Sequence, residues 1–381
     1  MATCLFIAAA VLLLLAQHPF VTYPLSLFAW RALARKPVAL PLELPNRPSL
    51  SVLCCCHNEA AVMDRKVRNM REAAARYSGT IEFLFYLDDC TDNTGEAIAA
   101  ADPGARIVKS KGRTGKSVGM KELVSLSTGE ILVFTDANTF LDQNVFIETA
   151  RGLSDPAIGG VAGTLEYTNS GESEIARVSG LYWQLEEWIK RLESDTGTTL
   201  GADGAYFAIR RALYVPTPPD IIDDMHTSMN VVLVGSRFIS LESVRTFEKT
   251  PTKSRDEFRR KVRIVCRAFN CYRLIASRLH RSGAEVVYKF YSHKVIRWFC
   301  LPLALAGCLC LIAALIAEGH GLLAAMLVAI TVLILLAGMG GVRPFAALYE
   351  IALSLLAAML GVYQSLRGER YQTWTIASSG R

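Results

Sequence analysis

The chain has 381 residues, 51% hydrophobic against 20% charged, with a mean hydropathy of +0.28. That balance excludes an ordinary soluble globule, a disordered tail protein and a disulfide-stapled miniprotein. Forty-one Lys and Arg against 35 Asp and Glu give a net +6, and with no basic run interleaved with aromatics this is no nucleic-acid footprint.

Residues 3–30 hold no Asp, Glu, Lys or Arg and are followed at once by Arg31, Arg35 and Lys36. A cleavable signal carries its positive charge before the apolar stretch, so residues 1–36 read as a retained anchor, kinked at Pro19 and Pro24, with its C-terminal end in the cytoplasm. Residues 37–50 form a proline-rich connector. From 51 the pattern alternates: strand 51–56, helix 60–76, strand 81–87, helix 94–101, strand 105–109, helix 116–127, strand 130–136. Continuous apolar strands separated by helices predict an α/β doubly wound sheet, with ligands at the carboxyl ends of its strands. Cys54, Cys55 and Cys56 stand consecutively in the first strand, and no Cys-x2-Cys pair occurs; buried reduced thiols fit better than disulfides or zinc, which again points to the cytosolic side.

Polar residues cluster where that rule places a site. His57, Asn58 and Glu59 end the first strand, Asp88 and Asp89 the second, and Asp136 and Asn138 follow the fourth. Carboxylates crowded at strand ends repel unless a cation lies between them, and Mg²⁺ or Mn²⁺ on a diphosphate resolves the conflict through one or two carboxylates. Asp136 and Asn138 offer one charged oxygen and one amide carbonyl, leaving Asp88 and Asp89 for nucleoside hydrogen bonds. The run SKGRTGKS at 110–117 ends like a P-loop but has Ser110 where the leading Gly is required.

Residues 254–280 place Phe258, Val262, Val265, Phe269, Tyr272 and Ala276 opposite Arg259, Lys261, Arg267 and Arg273. This is an amphipathic basic helix suited to the inner leaflet. Apolar blocks at 298–317, 322–341 and 344–362 then offer three spans, but three complete crossings would put Arg367, Arg370 and Arg381 outside, against the positive-inside tendency. One segment is expected to be re-entrant or interfacial.

Taken in order, HNE at 57–59, DDCTDNT at 88–94, GRTGKSVGMK at 112–121, DAN at 136–138, GADGAYFAIRR at 201–211, IIDD at 221–224, RKVRI at 260–264 and SHKVIRW at 292–298 resemble the membrane-bound glycosyltransferases of family 2, of the polysaccharide synthase type. The resemblance implies a GT-A catalytic domain at 37–253, an interfacial region at 254–294, transmembrane helices at 295–365 and a basic tail at 366–381. It implies that Glu59 and Asp89, with Asp88, His57 and Asn58 beside them, meet the base and ribose of a nucleotide-sugar. Asp136 matches the first Asp of the DXD motif, with Asn138 where the family has a second carboxylate. Lys116 matches the Lys of the GK element and would offset phosphate charge. Asp224 matches the general base of inverting members, with Asp223 orienting it or binding acceptor. Arg263 matches the Arg of the Gln-x-x-Arg-Trp motif and would stabilise the departing diphosphate; Arg260 replaces its Gln and Ile264 its Trp, so the aromatic platform for a growing glycan is missing. Asp203, in a glycine-rich turn, is placed to bond sugar hydroxyls.

The expectation is an inverting, Mg²⁺- or Mn²⁺-dependent transferase of the inner membrane, its catalytic domain cytoplasmic, passing sugar from a nucleotide-sugar, UDP-linked by resemblance, to a glycan or lipid-linked acceptor for envelope or exopolysaccharide synthesis. Membrane lipids are expected partners and nucleic acid is not. The alternatives are a glycolipid or polyprenyl-phosphate transferase adding one sugar, and a non-catalytic nucleotide-sugar-binding membrane subunit.

Overall fold

The computed structural model describes residues 1–37, 40–44 and 46–373; parts of the expected connector and tail, Arg381 included, lie outside them. Two helices, α1 (Ala2–Gln17) and α2 (Thr22–Leu33), precede the α/β unit. That unit opens with β1 (Leu50–Cys56), α3 (Ala60–Ala74), β2 (Ile81–Leu87), α4 (Thr94–Ala101), β3 (Arg106–Lys109), α5 (Lys116–Leu126) and β4 (Ile131–Asp136), the alternation expected from the apolar runs.

Sequence patterning did not resolve what lies between β4 and the membrane helices as completely. There the chain forms β5 (Phe140–Leu141), α6 (Val145–Gly152), β6 (Ile158–Tyr167), α7 (Glu174–Asp195), β7 (Tyr206–Arg210), α8 (Asp223–Leu233) and β8 (Arg237–Glu248). The eight strands form one sheet in the order β3-β2-β1-β4-β7-β6-β8-β5. The first four are parallel, as a doubly wound half requires, but β7 runs antiparallel to both β4 and β6. The sheet is therefore mixed, and this reversal decides where the site lies. Thr135 pairs with Tyr206, so the start of β7 adjoins the carboxyl end of β4.

Side chains alternate across the sheet. Val52, Cys54 and Cys56 of β1 pack with Met63, Val67 and Met70 of α3 on one face, while Leu53 and Cys55 join Met120, Leu123 and Phe134 on the other. All ten cysteines are free.

After β8 come α9 (Ser254–Leu279), α10 (Ala284–Phe290), a π turn at Tyr291–Val295, α11 (Ile296–Trp298), α12 (Cys300–Ala317), α13 (Gly321–Met339) and α14 (Phe345–Leu366). Among the described residues α12, α13 and α14 are each long and apolar enough to cross a membrane; at 1.5 Å per residue an 18- to 20-residue helix spans about 27–30 Å.

Three expectations are refined here. The anchor at 3–30 is not one helix, because α1 and α2 meet at a 66° bend. α1 lies antiparallel along α12, with Cys300 Sγ donating to Ala16 O at 3.1 Å and Gly307 against Leu12 and Leu13. α2 instead joins the α/β unit, its buried Tyr23 hydroxyl donating to Glu193 Oε1 at 2.6 Å. Second, the basic face of α9 is not simply turned to lipid. Arg267 is 3% exposed and faces the α/β unit, and Phe269, Cys271, Ile275 and Leu279 belong to that unit's second core. Third, α14 runs parallel to α9 along most of its length. Ser254 Oγ donates to Glu350 Oε1 at 2.5 Å, Lys261 Nζ to Ser354 Oγ at 2.7 Å and Ser365 Oγ to Asn270 Oδ1 at 2.6 Å. A β-carbon on Gly361 would meet Val262 O at 2.7 Å, so the helices touch backbone to backbone.

Candidate active site

Four side chains converge beyond the carboxyl end of β4. Lys116 Nζ, at the N-terminus of α5, lies 2.8 Å from Asp136 Oδ1 and 3.2 Å from Asp223 Oδ2. Asp224 is the fourth. The glycine-rich turn before β7 shows their closeness, since a β-carbon on Gly204 would stand 3.0 Å from Asp136 Oδ2, 3.0 Å from Lys116 Nζ and 3.4 Å from Asp224 Oδ2. The antiparallel pairing of β7 with β4 brings the turn there, fastened by Thr135 Oγ1 donating to Ala205 O at 2.8 Å.

The N-termini of α5 and α8 are tied together beneath these groups. Ser117 Oγ donates to Ile221 O at 3.0 Å, and Arg267 of α9 reaches the same carbonyl at 2.5 Å and Ser117 Oγ at 3.0 Å. This places Asp223 beside Lys116. Burial alone would lower the Lys116 pKa, but Asp136, Asp223 and Asp224 outweigh it and hold the ammonium well above its ordinary value. Burial would raise Asp223, yet Lys116 and Arg267 keep it below the usual carboxylate range. Asp224 goes the other way. Burial and the adjacent Asp223 charge push it up to about 7, so the two neighbouring acids are split into a permanent anion and a group that exchanges a proton near neutrality.

The remaining expected residues divide. Asp88 is fully buried; its carboxylate accepts from Thr114 N at 2.7 Å and from Gly115 N at 3.2 Å, and forms an ion pair with Arg113 Nε at 3.3 Å; it builds the loop leading to Lys116. Asn58 has φ of 52° and its Oδ1 accepts from Thr91 N at 2.8 Å, while His57 Nδ1 bonds Asp88 O at 2.7 Å. Glu59 is 4% exposed, with its amide donating to Thr94 Oγ1. Asp89, at φ of 56°, is exposed at the rim. Asp203 Oδ2 accepts from the buried Lys190 at 2.9 Å. On α9, Arg260 pairs with Glu257 at 3.0 Å. Arg263 has no ion-pair partner among the described residues; burial, with Arg267 and Arg260 nearby, lowers its pKa to about 10. Asp136 and Asp223 partly oppose that shift.

Sequence reasoning marked the glycine-rich turn that holds Gly204 but missed Arg267 as a tie between α5 and α8, and Glu248, whose Oε1 accepts from Asn138 Nδ2 at 2.9 Å. Only Arg267 left a trace, one turn beyond Arg263. The residues after α14 were read only as a basic tail; Arg370 instead pairs with Asp220 at 2.9 Å, and the Gln372 carbonyl lies directly over Gly115.

No group of three or more His, Cys, Asp or Glu that could hold a metal occurs among the described residues. The oxygen set nevertheless fits a divalent ion that takes most of its ligands from a diphosphate. Asp136 Oδ2 faces the cradle under Gly204, and Asn138, having given its amide hydrogens to Glu248, retains its carbonyl oxygen.

A mixed sheet with a four-strand parallel half, an acid-and-lysine cradle at its carboxyl end and apolar helices behind it define a GT-A-like architecture. Residues 51–215 match the family model described as Glycosyl transferase family 2. Over the whole chain the structure is similar to a mannosyltransferase from Pyrobaculum calidifontis solved with GDP-Man and Mn²⁺, at 22% identity and a TM-score of 0.72, covering 96% of this chain and 100% of that one. It is also 23% identical over 213 residues to an N-acetylglucosaminyltransferase of Rhizobium sp. (strain N33), covering 50% of this chain, and 23% identical over 210 residues to one of Mesorhizobium japonicum. The chain spans about half the length of these two relatives, 46% and 49%.

Proposed function

We propose that this chain is an inverting glycosyltransferase acting at the cytoplasmic face of a membrane, moving a sugar from a nucleotide-sugar to a glycan or lipid-linked acceptor. The carrying observation is the meeting of Asp136, Lys116, Asp223 and Asp224 around Gly204. A donor laid along the carboxyl ends of β1 and β2 brings its diphosphate to Asp136, Lys116 and Arg263. Mg²⁺ or Mn²⁺ held by Asp136 and Asn138 would supply neutralising charge to that diphosphate.

Asp224 takes the proton of the acceptor hydroxyl as its oxygen attacks the anomeric carbon, and the bond to the diphosphate breaks on the opposite face, inverting the centre. Asp223 stays ionised against Lys116 and keeps the Asp224 proton affinity high enough for the task. Asp89 stands exposed at the rim, with the buried Glu59 behind it, on the side where the base and ribose would lie.

Single transfer to a lipid-linked acceptor is the reading favoured over processive elongation. Ile264 offers no aromatic stacking surface after Arg263, and α9 itself is clamped between the α/β unit and α14. The test is a screen of radiolabelled UDP- and GDP-sugars with the full chain in lipid nanodiscs, with and without Mn²⁺. Donor-dependent release of nucleoside diphosphate and one lipid-soluble product support the reading; a product ladder refutes single addition, and no turnover with any donor and extracted lipid refutes the enzyme.

A further inference from the structure

Position 138 holds an amide where the resembled motif has a second carboxylate, and the structure shows what stands beside it. Glu248 is the last residue of β8, fixed by Thr168 N donating to its carbonyl at 2.9 Å. Its Oε1 accepts from Asn138 Nδ2 at 2.9 Å. An ionised carboxylate offers only acceptors, whereas a primary amide offers donors at one end and an acceptor at the other. Glu248 therefore selects the rotamer of Asn138, capturing the nitrogen and turning Oδ1 away. No donor among the described residues reaches that Oδ1, which sits two residues from Asp136 on the same turn after β4.

We propose that Glu248 is a positioning residue that presents the Asn138 carbonyl oxygen to the divalent ion of the donor diphosphate, so that Asn138 and Glu248 together do the work of one ligating carboxylate. This rests on the transferase reading above. It also accounts for the amide. An Asp at 138 would set two carboxyl groups at the 2.9 Å contact now made by Nδ2 and Oε1, where repulsion leaves them sharing a proton and ligating less well than a carbonyl held in place. Partners behind a metal ligand fix its orientation and are commonly worth 10- to 100-fold in metal affinity, about the range expected here.

The test uses the full chain in nanodiscs, with free Mn²⁺ followed by electron paramagnetic resonance during titration, alone and with UDP or GDP added. Glu248→Gln keeps size and removes the charge, and its own amide hydrogens can occupy Asn138 Oδ1; Mn²⁺ affinity is expected to fall about tenfold. Asn138→Asp combined with Glu248→Gln moves the charge onto the ligand and restores the hydrogen bond, so affinity should return to within about threefold of the parent, by the same reasoning. A merely structural role for Glu248 gives no such rescue. Asp136→Ala separates the two levels of inference. If it abolishes Mn²⁺ binding while Glu248→Gln leaves it unchanged, the positioning role is overturned and the transferase reading stands. If the parent binds no Mn²⁺ in any arm, or Asp136→Ala binds as well as the parent, the metal site itself is overturned and this role with it.

Discussion

Lys116 Nζ sits 2.8 Å from Asp136 Oδ1, so the carboxylate at the end of β4 already has a cation built into the fold. The same ammonium bridges to Asp223 at 3.2 Å. One largely covered lysine thus relieves the repulsion among three acids brought together from the end of β4 and the start of α8, and it does so before any ligand arrives. A partner of opposite charge is what lets such a cluster exist without neutralising itself by protonation.

Lys116→Met keeps the length of the side chain and removes its charge. Asp136, Asp223 and Asp224 then lose their shared counter-ion, and the expected outcome is a loss of turnover of at least about 100-fold with a stability loss of about 3 kcal/mol. Donor binding by calorimetry and thermal unfolding measure the two effects separately. Activity within about threefold of the parent would remove Lys116 from the site.

The pH dependence follows from the direction of the Asp224 shift. Its folded pKa is raised to about 7 by burial and by Asp223, and only the ionised form accepts a proton. The rate at low substrate should climb with pH through about 7 and then level. Stability has the opposite slope. A carboxyl whose folded pKa exceeds its unfolded value loses stability as pH rises from about 4 through about 7. Asp224→Asn removes that penalty, so the variant should bind donor, transfer nothing, and melt a few degrees higher than the parent at pH 8. Unchanged turnover in Asp224→Asn assigns the base elsewhere.

Gly204→Ala is a test of space. The residue does not occupy the left-handed region, so backbone strain is not the issue. The added methyl meets Asp136 Oδ2 and Lys116 Nζ at 3.0 Å and fills the cradle. We expect at least about a tenfold loss in kcat/KM with a melting temperature near that of the parent; full activity would show that the reacting groups do not meet there.

How much of this was legible beforehand follows from what each signal depends on. β1, β2 and β4 are doubly covered strands, and their continuous apolar runs marked them within one residue; α4 and α5 also lie within one residue of the helices expected between those strands. Asp136, Lys116 and Asp224 were found through motif strings and the acids were expected to share one pocket, but the geometry of their meeting was not legible. It depends on β7 running antiparallel beside β4, and nothing in AYFAI distinguishes the two directions. β6 and β8 are long, interrupted by register shifts, and carry glycines and charges, which blurs a period of two. Asp88 was expected at the nucleoside because an acid at a strand end reads alike whether it meets ligand or backbone; the contacts it makes here are to the loop before α5. Glu248 had no local signal at all, since its meaning lies in a contact 110 residues away.

The contacts made by the chain after α14 bear on the conflict left by counting spans. Three crossings after the α/β unit would carry Arg367 and Arg370 to the far face. Instead α14 lies along α9, Arg370 pairs with Asp220 in the loop before α8, and the Gln372 carbonyl touches Gly115. On this arrangement we expect α12 and α13 to form a hairpin that returns to the side of the site, with α1 beside it, and α14 to lay its exposed apolar face, including Leu348 and Ile351, on the membrane surface rather than cross it. The prediction concerns a cysteine placed at Gln372 in a chain whose exposed cysteines have been replaced. An impermeant maleimide should label it from the same face as one placed at the exposed Asp89, in sealed vesicles of known orientation. Labelling from the opposite face would make α14 a true crossing and break the contacts with Asp220 and Gly115. Gly361→Leu gives an independent check, since its side chain collides with Val262 O and Val265 Cβ; prying α14 from α9 should cost about 2–4 kcal/mol and free the tail from the site.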